Sequence, residues 1–222
     1  MRTLLMLFAA LLLAAPAAEA QTSPFSLEVR GRAAFPTGDF GDEEADGSGI
    51  ETGWGGSIEG IFQATPILGV YAGYSYTRFP TDLGELGEEL EGVIDDASVD
   101  VTDAGLDAGV RATLPLSLGG AGVFVRGGVV YHQLGVELSD ELEELLEEFG
   151  EGVFDPDDLD SEWSLGYQLG AGALIPLGPR LSASVGANYT RYKPEFEQQA
   201  DVTVQADDVS YFSAEVGLLI RL

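Results

Sequence analysis

The chain has 222 residues with no cysteine, 38 acidic residues against ten basic ones and a formal net charge of −28. Without cysteine, disulfide frameworks and thiolate metal sites are excluded. With so few Lys and Arg, nucleic acid and bare anionic surfaces are disfavoured as partners, since binding them needs clustered cationic side chains.

Residues 1–20 read as an export signal rather than as part of the fold. Arg2 is a minimal positive region, Leu4 to Ala15 is an apolar stretch, and Ala18-Glu19-Ala20 is a small-residue cleavage site. The apolar run is shorter than the 18 or more residues of a spanning helix. The domain proper is expected over residues 21–222, a length that suits one all-β unit of about 200 residues. No later stretch is uniformly apolar, so a membrane reading of this chain requires a closed barrel.

Eight strands are predicted in chain order. They cover residues 25–35, 52–64, 68–79, 101–114, 122–134, 162–174, 181–192 and 209–222. The fourth alternates without error: Ala104, Leu106, Ala108, Val110, Ala112 and Leu114 fall on one face, and Asp103, Gly105, Asp107, Gly109, Arg111 and Thr113 on the other. Successive strand side chains point to opposite faces, so such a segment divides an apolar medium from a polar one. Each strand reaches the 9–11 residues that cross a bilayer at a tilt. Their connections alternate between short Pro- and Gly-bearing turns and long acidic segments. Of the 38 acids, 32 lie in residues 36–51, 80–101, 136–162 and 194–208.

Short turns alternating with long loops and an even strand count describe an antiparallel up-and-down transmembrane β-barrel. Its short turns and both termini are then periplasmic, its long acidic loops extracellular, and the protein sits in the outer membrane of a Gram-negative-type envelope. Aromatic residues mark two interfaces. Trp54, Tyr74, Tyr76, Tyr131, Trp163, Tyr167, Tyr189 and Phe212 lie toward the long-loop ends, and Phe25 and Phe62 toward the short turns.

With the fourth strand as reference, the inward face carries Glu28, Arg30, Arg32, Glu59, Gln63, Asp103, Asp107, Arg111, Arg126, His132, Gln168, Asn188, Glu215 and Arg221. Five acids thus meet five arginines in a lumen that eight strands leave just wide enough for side chains. Unpaired buried charge is costly, so a salt-bridged lumen is expected. A water-soluble barrel, with the apolar face inside, is the rival at the level of fold.

The chain resembles the small OmpA/OmpX-type outer-membrane β-barrels over nearly all of residues 25–222. Phe35-Pro36-Thr37-Gly38-Asp39-Phe40 is similar to an aromatic-Pro-x-Gly segment at the end of that superfamily's first strand. The last strand, ending at Leu222 where the family has Phe or Trp, is similar to its barrel-assembly signal. The resemblance implies membrane lipid and the barrel-assembly machinery as partners. One lipid A-modifying family of such barrels uses a His with a Ser two residues on; here His132-Gln133-Leu134 lacks the serine. No catalytic residue and no cofactor are assigned.

The loops hold the remaining chemistry. Leu142, Leu145, Leu146 and Phe149, and again Leu86, Leu90, Val93 and Ile94, recur at helical spacing, so short helices are expected in the second and third long loops. Asp155, Asp157, Asp158 and Asp160 are candidate oxygen ligands for Ca²⁺, as are Asp39, Asp42, Glu43, Glu44 and Asp46, although neither run matches an EF-hand. Divalent cations are therefore candidate partners and a monomer the favoured state. The functional expectation is a structural, surface-interaction or cation-binding outer-membrane protein acting through acidic loops. The alternative is a channel or transporter for small or hydrophobic solutes.

Overall fold

In the computed structural model, residues 23–41, 49–82, 99–116, 121–139, 161–195 and 208–222 are described. The eight barrel strands are β1 (Phe25–Pro36), β2 (Gly53–Gln63), β3 (Leu68–Asp82), β4 (Val99–Pro115), β5 (Gly122–Leu138), β6 (Ser164–Pro176), β7 (Leu181–Tyr192) and β8 (Val209–Arg221). Every neighbouring pair is antiparallel, and β1 pairs with β8 from Ser26↔Arg221 to Pro36↔Tyr211, which closes the sheet on itself. A two-residue rung, Gly49–Ile50, pairs with Thr81 and Asp82 and prolongs the edge of β3. Among the described residues no helix is long and apolar enough to cross a membrane.

The reason for the outward apolar face is the period of two. Along β4, Leu106, Val110 and Leu114 are more than half exposed, whereas Asp103, Asp107 and Arg111 are buried. Leu165, Leu169, Val185, Val216 and Leu218 repeat this on the neighbouring walls. A soluble barrel would show the reverse. The expected eight-stranded antiparallel barrel is the fold found.

Three strands are longer than their alternation indicated. β3, β4 and β5 continue to Asp82, back to Val99 and on to Leu138. Past the interface both faces meet water, so the apolar-polar contrast that marks a strand in sequence fades while the backbone ladder goes on. At this height Arg78 is ion-paired with Asp100, and Arg191 with Asp208 on the β7–β8 side. The turn between β2 and β3 is tied by Thr65, whose hydroxyl oxygen accepts from the Leu68 amide at 2.9 Å.

The helices expected in loops two and three, and the Ca²⁺ candidates Asp42, Glu43, Glu44, Asp46, Asp155, Asp157, Asp158 and Asp160, lie outside the described residues, as does the signal segment.

Candidate functional site in the lumen

Inward side chains stack in three layers. Near the long loops lies an apolar layer of Ala34, Phe79, Val130, Tyr192, Val209 and Tyr211, with Phe40, Ile50, Val101 and Leu134 packed against it. Near the short turns lies a second one, Ile61, Tyr71, Phe124, Leu174 and Leu219. The charged belt sits between them. Both apolar layers lie outside the expected acid-arginine set, although Ile61, Phe79, Phe124 and Leu219 share the inward parity of their strands.

Phe40 reaches the upper layer through the Phe35-Pro36-Thr37-Gly38 segment. Thr37 donates its amide to the Ser210 carbonyl at 2.9 Å, and Ser210 returns its hydroxyl to the Thr37 carbonyl at 2.7 Å. Gly38 then adopts φ 60°, a left-handed conformation that a Cβ disfavours. The chain turns back as a short 3₁₀ segment, Gly38–Gly41, and sets the Phe40 ring edge-on to Phe79, with centroids 5.3 Å apart.

The charged belt has two halves. In the upper half Asp103 accepts from Tyr211 at 2.6 Å, Tyr192 at 3.1 Å and His132 Nδ1 at 2.7 Å. The other ring nitrogen of His132 faces Asp107 Oδ1 at 3.4 Å and Ser75 Oγ at 3.4 Å. In the lower half Arg126 clasps Glu59 with both terminal nitrogens, at 2.8 and 3.2 Å. Arg30 pairs with Glu59 and, at 2.8 Å, with Glu215. Arg32 lies 3.6 Å from Glu215, and Arg111 holds Glu28 at 2.5 Å. Gln168 joins the halves: its amide nitrogen donates to Asp107 at 2.9 Å, while its oxygen accepts from Arg126 at 3.0 Å and from Asn188 at 2.8 Å.

The two guanidiniums that span the lumen rest on aromatic faces, Arg111 over Phe124 at 3.8 Å and Arg126 over Tyr71 at 4.2 Å. The Tyr71 ring fits because Gly109 and Gly128 face each other across β4 and β5; a Cβ at Gly128 would stand 2.5 Å from the Tyr71 hydroxyl.

Register makes the pairing unusual. Glu28 lies directly opposite Glu59 on β1 and β2, and Arg111 directly opposite Arg126 on β4 and β5. Glu28 takes Arg111 and Glu59 takes Arg126 from the far wall, and Glu59 is also held by Arg30 on the neighbouring β1.

Of the residues expected in this network, ten are buried in the belt and Arg221 is not. It keeps its inward parity but stands exposed at the short-turn mouth, past the last layer. His132 lies in the upper half of the belt, as an inward residue of β5. Ser75, missed in the sequence because it comes from β3, is brought to His132 and Asp103 in the order Ser-His-Asp. It is 1% exposed, beneath Phe79 and Tyr211, and Asp107 contends for the same ring nitrogen. A nucleophile needs a substrate within reach, and at this burial the Ser75 hydroxyl is not open to solvent.

The outer face completes the site's setting. Tyr131 stacks on Trp163 at 5.2 Å, and Tyr189 lies 4.9 Å from Phe212 and 6.3 Å from Tyr167. At the other end Phe25 and Phe62 lie 4.9 Å apart. Two aromatic girdles enclosing an apolar band around a polar interior define an integral β-barrel of the outer-membrane type. The chain belongs to the family described as outer membrane protein beta-barrel domain, which matches residues 5–220. No curated protein matches it in sequence. Among solved structures it is similar to Neisserial surface protein A, at 14% identity and a TM-score of 0.57, over 90% of this chain and 98% of that one. It is also similar to Ail, the attachment invasion locus protein of Yersinia pestis, solved with the heparin analogue sucrose octasulfate, at 12% identity and a TM-score of 0.50, over 89% and 97%.

Proposed function

We propose that this outer-membrane barrel does not conduct and has no catalytic role, and that it works at the cell surface through its long acidic loops, in adhesion, cation binding or envelope stability. The observation that carries the reading is the filled lumen: two apolar layers enclose a belt in which Glu59 alone is held by Arg30 and by both arms of Arg126. A path for solute would have to break buried ion pairs, each break costing about 3–5 kcal/mol. The termini and short turns are on the periplasmic side in this reading.

Charge decides what the loops take. Ail was solved with a sulfated polyanion. This chain carries 32 of its acids in loop-bearing segments and repels such a ligand. The loops select divalent cations or cationic partners instead. Planar-bilayer recording of the refolded protein is expected to show no steady openings; steady openings in the unaltered protein would overturn the reading.

A further inference from the structure

At the outer girdle, where β7 and β8 approach the long loops, a cavity of about 420 Å³ opens beside Tyr189 and Phe212, within the roughly 300–1,000 Å³ that small-molecule sites occupy. The Thr37-Gly38 turn forms another side, and there Gly38 presents backbone with no side chain over it. The charged residues of the cavity are Arg191 and Asp208, which pair with each other. Unlike the ion pairs of the lumen, this one is open, with side chains 46% and 35% exposed.

The polar groups here have positions to spare. Asp208 engages one terminal nitrogen of Arg191 through one oxygen. A guanidinium has five N–H donors and a carboxylate two oxygens, so that single bond leaves both groups able to make more. Ser210 gives its only proton to the Thr37 carbonyl at 2.7 Å. In the 3.2 Å contact between the two hydroxyls Thr37 is therefore the donor, and its oxygen keeps its lone pairs for another group. The two charges cancel locally, which favours neither an anion nor a cation. The ligand these groups suit is neutral and both donates and accepts. Tyr189 and the half-exposed Phe212, with ring centroids 4.9 Å apart, add an apolar face beside them.

We propose that this cavity binds a neutral pyranose. Two adjacent hydroxyls of a sugar ring match the spacing of a planar, two-pronged group, so Asp208 accepts from one such pair while Arg191 donates to ring or hydroxyl oxygens. The C–H face of the sugar, weakly positive, lies on the negative face of Phe212. The Thr37 oxygen accepts from a further hydroxyl. The site stands at the height of the lipid head groups, where the same sugar is offered by a membrane glycolipid and by a soluble glycan. It does not depend on the reading of the loops, since a barrel that conducted would carry this outer wall equally.

The test uses the full chain in nanodiscs of zwitterionic phospholipid, titrated with the methyl glycosides of glucose, galactose and mannose while the backbone amides of Gly38, Tyr189 and Phe212 are followed by NMR. Saturable shifts are expected with at least one of them at about millimolar concentration, and none with cyclohexanol, which has the ring but no adjacent hydroxyls, or with inorganic phosphate. Arg191→Lys, which keeps the charge and loses the fork, is expected to raise the half-saturating concentration about tenfold. Phe212→Leu, which keeps an apolar residue toward lipid and loses the aromatic face, should raise it about fivefold. Tyr131→Leu, in the girdle on the β5 wall, should leave it unchanged, with heat-dependent gel mobility showing that each variant folds. If glucosylceramide or galactosylceramide in the discs shifts the same amides and competes with the methyl glycoside, a membrane glycolipid is the occupant; if neither does, a soluble glycan is. No saturable shift with any of the three glycosides, equal shifts from cyclohexanol or phosphate, or binding untouched by both Arg191→Lys and Phe212→Leu would overturn the proposal.

Discussion

Asp103 shows how much one lumen residue can organise. Its two oxygens take Tyr211, Tyr192 and His132 from three other strands, so removing it leaves three buried donors without their acceptor. Asp103→Ala is expected to cost about 3–5 kcal/mol, read as a lowered urea midpoint, while Tyr192→Phe, which removes one bond of three and leaves no orphan donor, should cost about 1 kcal/mol. An equal loss in both variants would mean that the carboxylate is not the hub. The charges of this belt were legible in the sequence because each falls on the polar parity of its strand. Their partners were not: Glu28 and Arg111 are 83 residues apart, and nothing in either strand marks which far-wall residue it meets. Ser75 illustrates the same limit, since a serine on a polar face has no local sign of facing a histidine on another strand.

At the scale of the element, strand identity was readable wherever lipid lies on one side and the lumen on the other. It became unreadable at the tops of β3, β4 and β5, where Arg78 and Asp100 pair above the girdle and alternation carries no hydrophobic contrast. The end of β1 is different, for its sequence segment has a specific job: Gly38 at φ 60° swings Phe40 back against Phe79. Gly38→Ala is expected to cost about 1 kcal/mol through the left-handed backbone, with loss of stability measured by urea refolding; an unchanged midpoint would mean the turn has another route. On the lipid side, Val110 is 58% exposed near the middle of β4. Val110→Arg should destabilise folding into bilayers by about 2–4 kcal/mol. The same change tested at a girdle position, Tyr131, should cost about 0–1 kcal/mol of charge penalty because the depth is small.

The whole molecule is an outer-membrane barrel whose exterior, rather than its interior, matched the sequence reading most fully. Girdles, apolar band, short turns and closure follow from the period of two and the spacing of Pro and Gly. The interior is more layered than a balanced set of five acids and five arginines: two apolar strata enclose the ions, and Arg221 leaves the belt for the mouth. Exchanging Glu28 and Arg111 tests that layout. Either charge reversal alone is expected to abolish the heat-dependent gel shift of the folded barrel. The exchange of both should recover it; a doubly exchanged protein that still shows no shift would mean the two residues do not meet.

Because Glu28 faces Glu59 along one seam and Arg111 faces Arg126 along another, neither pair of strands is at rest alone. Repulsion along each seam weakens an open sheet, and a one-residue slip of any one of these strands would turn its charge toward lipid. Arg30 relieves part of the first seam from within its own wall, and the rest of the relief, Arg111 to Glu28 and Arg126 to Glu59, arrives when the two walls meet across the lumen, which favours the closed ring. An open or misregistered barrel leaves part of this charge unpaired, a cost that the closed ring removes.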